Sequence, residues 1–337
     1  MKSIVLIIPY FGKLPYYFNV WQKTALCNPS VDFMFFTDVE GIKEKGNIKV
    51  VNITFDEFAK KIQSKFDFDI SVETAYKLCD YRMAFGLALQ EYLKGYDFWG
   101  YCDIDLVFGD IRAFITDEVL NENDKILEHG HFTLYRNNSE INSLFMKSAG
   151  FKDYDYKKVF TLKDNYYFDE ILGGRLICRK LGVKTYLNEN IFFDALEKFK
   201  PFTHITKGFK NTVFLWKEGK LFALEQTETE ITKKEIMYAH FQKRKMDYSA
   251  FNEQLSEFYL VPNKLVCADK VKGLKGIFSC RGKRLYILKK KIEHVKTYIK
   301  RYKKGNYKSF SAYRKERSAF ALDMKNAKKE IEKWGEN

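Results

Sequence analysis

Two nearly unbroken apolar runs open the chain, Ser3 to Pro9 (SIVLIIP) and Val31 to Thr37 (VDFMFFT). The first is closed by the turn-like Tyr10-Phe11-Gly12 and the second by Asp38. A strand with one wet face alternates apolar and polar residues, whereas a strand covered on both faces reads as a continuous run. Both segments therefore predict strands inside a parallel sheet, joined by a stretch of helical length. Asn47 to Ile53 predicts a third strand and Asp56 to Ser64 a short helix. Over Glu73 to Leu93, the residues Leu78, Tyr81, Phe85, Ala88, Leu89 and Tyr92 recur at helical spacing, which predicts one long helix. Asp97 to Cys102 (DFWGYC) then predicts a fourth strand. Strand and helix alternate from residue 1 to about 110. That points to an α/β fold with an open, mainly parallel sheet of nucleotide-binding type. In such sheets ligands gather beyond the carboxyl ends of the strands, where the polar residues here are Tyr10, Asp38, Asp103 and Asp105.

The pattern is more mixed over 111–262. His131 to Arg136 predicts a strand, Asn211 to Leu224 a hairpin around Lys217-Glu218-Gly219-Lys220, and Ile236 to Phe241 a last strand or strand-like segment. From Leu285 the register changes again. Leu285, Leu288, Ile292, Val295, Ile299 and Tyr302 recur at alternating spacings of 3 and 4, one face of a helix. The expected organisation is a nucleotide-binding half over 1–110, a more mixed half over 111–262, which the resemblance given below makes acceptor-binding, and a helical appendage over 263–337.

Charge sharpens that division. The 337 residues carry 58 Lys and Arg against 44 Asp and Glu, a net of +14, and from Arg281 onward the count is 19 against 6. The body is thus nearly neutral and the basicity sits in the tail, which is not how a nucleic-acid-binding surface distributes charge, so no specific nucleic acid is expected. Flanked by lysines, the tail stripe suits an anionic membrane face. A helix packed on the body or on a second copy would show the same seam. No apolar run is long enough to span a bilayer or form a signal-peptide core, so the expected location is cytoplasmic, peripheral on the inner face of the membrane. The six cysteines show no CxxC and no zinc spacing, and are expected to be free.

The chemistry centres on Trp99-Gly100-Tyr101-Cys102-Asp103-Ile104-Asp105. Two carboxylates one residue apart, just past a buried strand, can reach one hard cation, and Mn²⁺ or Mg²⁺ prefers such oxygen ligands while keeping positions for diphosphate. Late in the body, Tyr238-Ala239-His240-Phe241-Gln242-Lys243-Arg244 offers an imidazole to the metal and two cations to a diphosphate. Lys77 and Asp80, three apart, share a helix face, as donor contacts or as an exposed pair. Asp169 and Glu170 are candidates for the base that takes an acceptor's proton, or for a helix N-terminal acidic pair.

In order along residues 1–247, the segments PYFGK, FTD, YKLCD, DFWGYCDIDLVFGD and HFQKR resemble those of a bacterial family of GT-A-type glycosyltransferases. Its members resemble enzymes of cell-surface polysaccharide synthesis. The resemblance implies a nucleotide-diphosphate sugar donor (a UDP-hexose, galactose-type), Mn²⁺ or Mg²⁺ on Asp103 and Asp105 with His240 as a third ligand, and a glycan or lipid-linked acceptor. Tyr10 and Asp38 would hold base and ribose, and Lys243 and Arg244 the diphosphate. The competing reading is a non-catalytic carbohydrate- or membrane-surface-binding protein, supported by the 17% aromatic content and the basic tail.

Overall fold

In the computed structural model, Val5 and Ile7 of β1 (Ile4–Pro9) face one hydrophobic core, and Ile4, Leu6 and Ile8 face another. The same division holds for β2 (Val31–Thr37), which sends Met34 and Phe36 one way and Val31, Phe33 and Phe35 the other. Both faces are covered, which is why these strands carry no polar alternation. Each such side chain contributes about 1.5–3 kcal/mol by leaving water. The structure describes residues 1–147, 155–195, 212–242 except 228, 244–278 except 272, and 307–334, with the single positions 202, 204, 296, 299, 302 and 303.

Between β1 and β2 lies α1 (Phe18–Leu26), which seats Phe18 and Trp21 in the second core. Then come β3 (Ile48–Asn52) and α2 (Phe55–Gln63), whose start is fixed by Thr54: its hydroxyl accepts from the Glu57 N–H while the Glu57 carboxylate accepts from Thr54 N–H. Beyond β4 (Phe98–Cys102), a turn bearing Asp103 leads to the short β5 (Leu106–Phe108). β6 (Lys125–His129), β7 (Phe132–Arg136) and β8 (Thr185–Tyr186) complete a seven-stranded sheet in the order β3-β2-β1-β4-β7-β6-β8. Only β7 runs against the others. The fold is therefore α/β, an open and mainly parallel sheet flanked by helices. Strand order reverses between β1 and β4, so the crevice at their carboxyl ends lies beside Tyr10 and Asp103. Gly100 in β4 allows β7 to approach closely, since a Cβ there would sit 2.1 Å from the Thr133 carbonyl oxygen.

The second half adds β9 (Phe192–Asp194), the expected hairpin β10 (Thr212–Lys217) and β11 (Lys220–Gln226), then β12 (Ile231–Ile236) and β13 (Tyr238–His240). The strand expected at Ile236 to Phe241 is not the last: β14 (Glu257–Val261) and β15 (Lys264–Cys267) follow as an antiparallel pair. That hairpin straddles residue 262, so the body extends past the expected boundary. β12-β11-β10-β14-β15 form one sheet and β5-β13-β9 a small third one.

The long helix expected over Glu73–Leu93 is three short pieces: 3₁₀ turns over Ala75–Ala84, one α-turn at Phe85–Ala88, and a 3₁₀ turn at Gln90–Tyr92. A one-sided stripe does not describe this segment, because Lys77, Asp80 and Met83 are buried along with Leu78, Tyr81 and Ala84. Three residues per turn stack Lys77 over Asp80 in an ion pair of 2.8 Å.

The tail stripe from Leu285 to Val295 lies outside the described residues. The last helix, Phe310–Trp334, packs on the body through Phe320 and Ala327. Tyr166 Oη donates to Glu316 at 2.6 Å. Among the described residues no helix is long and apolar enough to cross a membrane, and the five described cysteines are free.

Candidate active site

Backbone pairing builds the site. Leu106 of β5 stands opposite His240 of β13, and the Phe241 N–H donates to the Asp105 carbonyl at 3.2 Å. The other side of β13 pairs in parallel with β9, placing Asp194 opposite His240. Asp103 is held from the first sheet, its N–H donating to the His131 carbonyl at 3.0 Å. Three segments far apart in the chain thus converge: Asp103 and Asp105, Asp194, and His240.

His240 Nε2 lies 3.3 Å from Asp105 Oδ1 and 3.9 Å from Asp103 Oδ2, and the three residues offer ligand atoms within 4.8 Å of one another. Ligands of a cation held at about 2.1 Å sit about 3 Å from their neighbours. Two carboxylate oxygens and one imidazole nitrogen at this spacing fit a hard divalent cation. His240 Nδ1 is engaged elsewhere, 2.8 Å from Asp194 Oδ1, which also accepts from Gln242 Nε2 at 2.8 Å. Burial lowers the pKa of His240, but Asp105 and Asp194 outweigh burial and hold it well above the usual range. Burial pushes Asp194 up, and its bond to His240 more than reverses that. His131 packs against His240 with ring centroids 4.4 Å apart and the planes tilted by 39°, and burial followed by the charge of His240 keeps it far below its usual pKa, hence neutral. His129 stacks in turn on His131 at 5.0 Å, its pKa lowered to about 4 by burial and Arg175.

Arg82 forms the second pole. Its guanidinium reaches Asp103 Oδ1 at 2.5 Å, Asp169 Oδ2 at 3.1 Å and the Gly130 carbonyl. The two oxygens of Asp103 are therefore divided, Oδ1 toward Arg82 and Oδ2 toward His240. Asp169 is buried and Glu170 partly buried. Burial raises the pKa of both, with Asp103 adding to it, and this exceeds the pull of Arg82 on Asp169 and of Arg175 and Arg82 on Glu170. Both residues open the segment Phe168–Ile177, a run of wide π-helical turns entered through Tyr167 at φ +55°. Such turns recur at functional sites. Gly174 makes the wide turn possible, since a Cβ there would lie 1.9 Å from the Asp169 carbonyl oxygen.

Other expected residues stand elsewhere. Lys77 and Asp80 are not an exposed pair: all three ammonium protons of Lys77 have acceptors in Asp80 and the carbonyls of Val159 and Asp164. Asp80 also accepts from the N–H groups of Tyr166 and Phe168. The pair anchors the turn before Asp169, and no ammonium proton of Lys77 is left over for a donor. Tyr10 follows β1 and its hydroxyl donates to the Lys13 carbonyl at 2.7 Å. Asp38 is exposed beyond β2. Arg244 is buried rather than presented to solvent. Its Nε donates to Asn263 at 2.9 Å and its guanidinium lies over Phe202, although it lines a small cleft with Tyr17, Asp105 and Tyr248. Lys243 lies outside the described residues.

Sequence reasoning missed Arg82, Asp194 and His131. Arg82 directly follows the quoted segment Tyr76 to Asp80 at a spacing of two, and His131 begins the predicted strand, so both were within reach. Asp194 carried no signal beyond a short aromatic run.

The model of a family of unknown function, DUF6625, matches residues 6–270. The chain belongs to this family. No curated protein matches it. Among solved structures it is similar to an active-site mutant of LgtC, at 14% identity and a TM-score of 0.36, over 57% of this chain and 75% of that one. It is also similar to galactosyltransferase LgtC in complex with donor and acceptor sugar analogs, at 12% identity and 0.34, over 57% and 76%. A third is apo mouse xyloside xylosyltransferase 1, at 11% identity and 0.34, over 58% and 88%.

Proposed function

We propose that this member of the family is a metal-dependent GT-A-type glycosyltransferase that moves a hexose from a UDP-sugar to a glycan or lipid-linked acceptor in surface polysaccharide synthesis. The observation that carries the reading is the convergence of Asp103, Asp105 and His240 at the sheet's switch point, from positions 135 residues apart. These three would hold Mn²⁺ or Mg²⁺, whose charge would offset the negative charge that develops on a departing diphosphate. Arg82 adds a fixed cation beside Asp103 and keeps that carboxylate oriented. Glu170 is the better-placed acceptor base of the two acids, since Asp169 is buried against Arg82 while Glu170 is partly accessible. A carboxyl with a raised pKa suits proton transfer near neutral pH. Tyr10 and Asp38, at the ends of β1 and β2, flank the same crevice and would meet base and ribose.

The test is metal-dependent hydrolysis across UDP-, GDP- and dTDP-hexoses, with Asp105→Asn as the decisive variant. UDP-hexose turnover should require Mn²⁺ or Mg²⁺ and fall at least about a hundredfold in the variant, more than an outer-shell change costs. The circular dichroism spectrum should not change. Unaltered metal and nucleotide binding by Asp105→Asn in calorimetry would sink the reading.

A further inference from the structure

We propose that Asp194 is a positioning residue for the metal site: with Gln242 behind it, it holds the proton on His240 Nδ1, so that Nε2, turned toward Asp103 and Asp105, is the nitrogen that gives up its proton when a cation binds. The proposal rests on the metal-site reading above and adds a residue to it. Asp194 and His240 stand opposite each other in the parallel pair β9–β13, so their side chains leave the sheet on the same face. Asp194 Oδ1 lies 2.8 Å from His240 Nδ1 and can only accept there while ionised, so Nδ1 is the donor. The same oxygen accepts from Gln242 Nε2 at 2.8 Å, which fixes the carboxylate's orientation. Gln242 holds φ at +47°, in the left-handed region that side chains other than glycine avoid. His131 closes the far side, its ring centroid 4.4 Å from that of His240 and its Nε2 3.8 Å from Asp194 Oδ2. The ring of His240 is thus held by a wall, a carboxylate and a strand ladder at once. An imidazole that ligates a metal through one nitrogen needs the other nitrogen's proton directed at an acceptor, since the alternative tautomer places a proton where the cation must be.

Binding of Mn²⁺ alone, measured by calorimetry, tests this on the full-length wild type and on Asp194→Asn, Asp194→Leu and Asp105→Asn. Leucine removes the acceptor, whereas asparagine keeps an oxygen that can still accept from Nδ1–H. The expected order is wild type, then Asp194→Asn, then Asp194→Leu, the last about 10- to 100-fold weaker. At a Mg²⁺ concentration that saturates the wild type, the ¹⁵N signals of His240 should show one ligated ring with its proton on Nδ1, and in Asp194→Leu a fraction of unligated ring beside it. Where Asp194→Leu fails to fold, Gln242→Leu replaces it and should cost a few-fold in Mn²⁺ affinity. Loss of binding in Asp105→Asn with wild-type affinity in Asp194→Leu, or in Gln242→Leu where it stands in, would overturn the proposal and leave the metal site standing. A lowered melting temperature with unchanged affinity per folded molecule would likewise make Asp194 structural only. Wild-type affinity in Asp105→Asn as well would remove the metal site and this proposal with it.

Discussion

Asp169 is a carboxyl surrounded by acids. Burial raises its pKa first, and Glu170, Asp80 and Asp103 add to this against the single opposing charge of Arg82. A carboxyl whose folded pKa exceeds its unfolded value of about 4 binds more protons in the folded state. Stability therefore falls as pH rises from about 4 through the folded value. Asp169→Asn removes that dependence. In urea denaturation between pH 4.5 and 7.5, the variant should gain on wild type as pH rises. The opposite slope would mean that the Arg82 ion pair dominates. Histidines 131 and 240, in ring-to-ring contact, are driven in opposite directions by their surroundings. One has carboxylates at both nitrogens and the other meets burial and a neighbouring cation. Neither environment is visible in a sequence where the two lie 109 positions apart.

At the scale of elements, the strands were legible and the helices only partly so. A strand covered on both faces has a simple signature, and β1, β2 and β4 fall within a residue or two of their expected limits. The segment after Thr74 misled because helical periodicity reports one buried face, while this segment buries polar Lys77 and Asp80 too. The π-helical Phe168–Ile177 was equally hidden, since its geometry follows from the close packing that Gly173 and Gly174 permit. Gly174→Ala is the element-scale test. A Cβ colliding with the Asp169 carbonyl should cost about 3 kcal/mol, the upper end for overpacking, in chemical denaturation. Because the wide turns carry Asp169 and Glu170, donor turnover should also fall at temperatures where the variant remains folded. Full activity with the expected stability loss would separate the turn from the chemistry.

Across the whole molecule, the tail divides in two. Its final helix is part of the body: Phe320 and Ala327 enter the first core, and Glu316 and Arg317 meet Tyr166 and Asp164 just before the acidic pair. Removing everything after residue 280 would therefore damage the fold as well as strip the charge. Membrane attraction is better tested by replacing Lys289, Lys290, Lys291, Lys296, Lys300 and Arg301 with glutamine. Full-length protein should float with anionic liposomes at low salt and the glutamine variant should not, each cation contributing about 1 kcal/mol near the surface. Equal flotation by both would assign no membrane role to these residues.

The sequence by itself determined the α/β class, the strands that form the crevice, the Asp103–Asp105 pair at its edge and the late His240 as its partner candidate. These are local facts: apolar runs set strands, and a polar pair past a buried strand has few structural reasons to exist. Tertiary structure alone decided the rest. It brought Asp194 behind His240 and set Arg82 between Asp103 and Asp169. It also buried Lys77, Asp80 and Arg244, which composition would place at the surface. Each of those outcomes depends on segments tens of residues apart: β13 paired with β9 for Asp194, and the turns over Ala75–Ala84 packed against Val159–Asp169 for Lys77, Asp80 and Arg82. No local pattern names the partner of a segment, because the backbone groups that join two strands are the same for every residue.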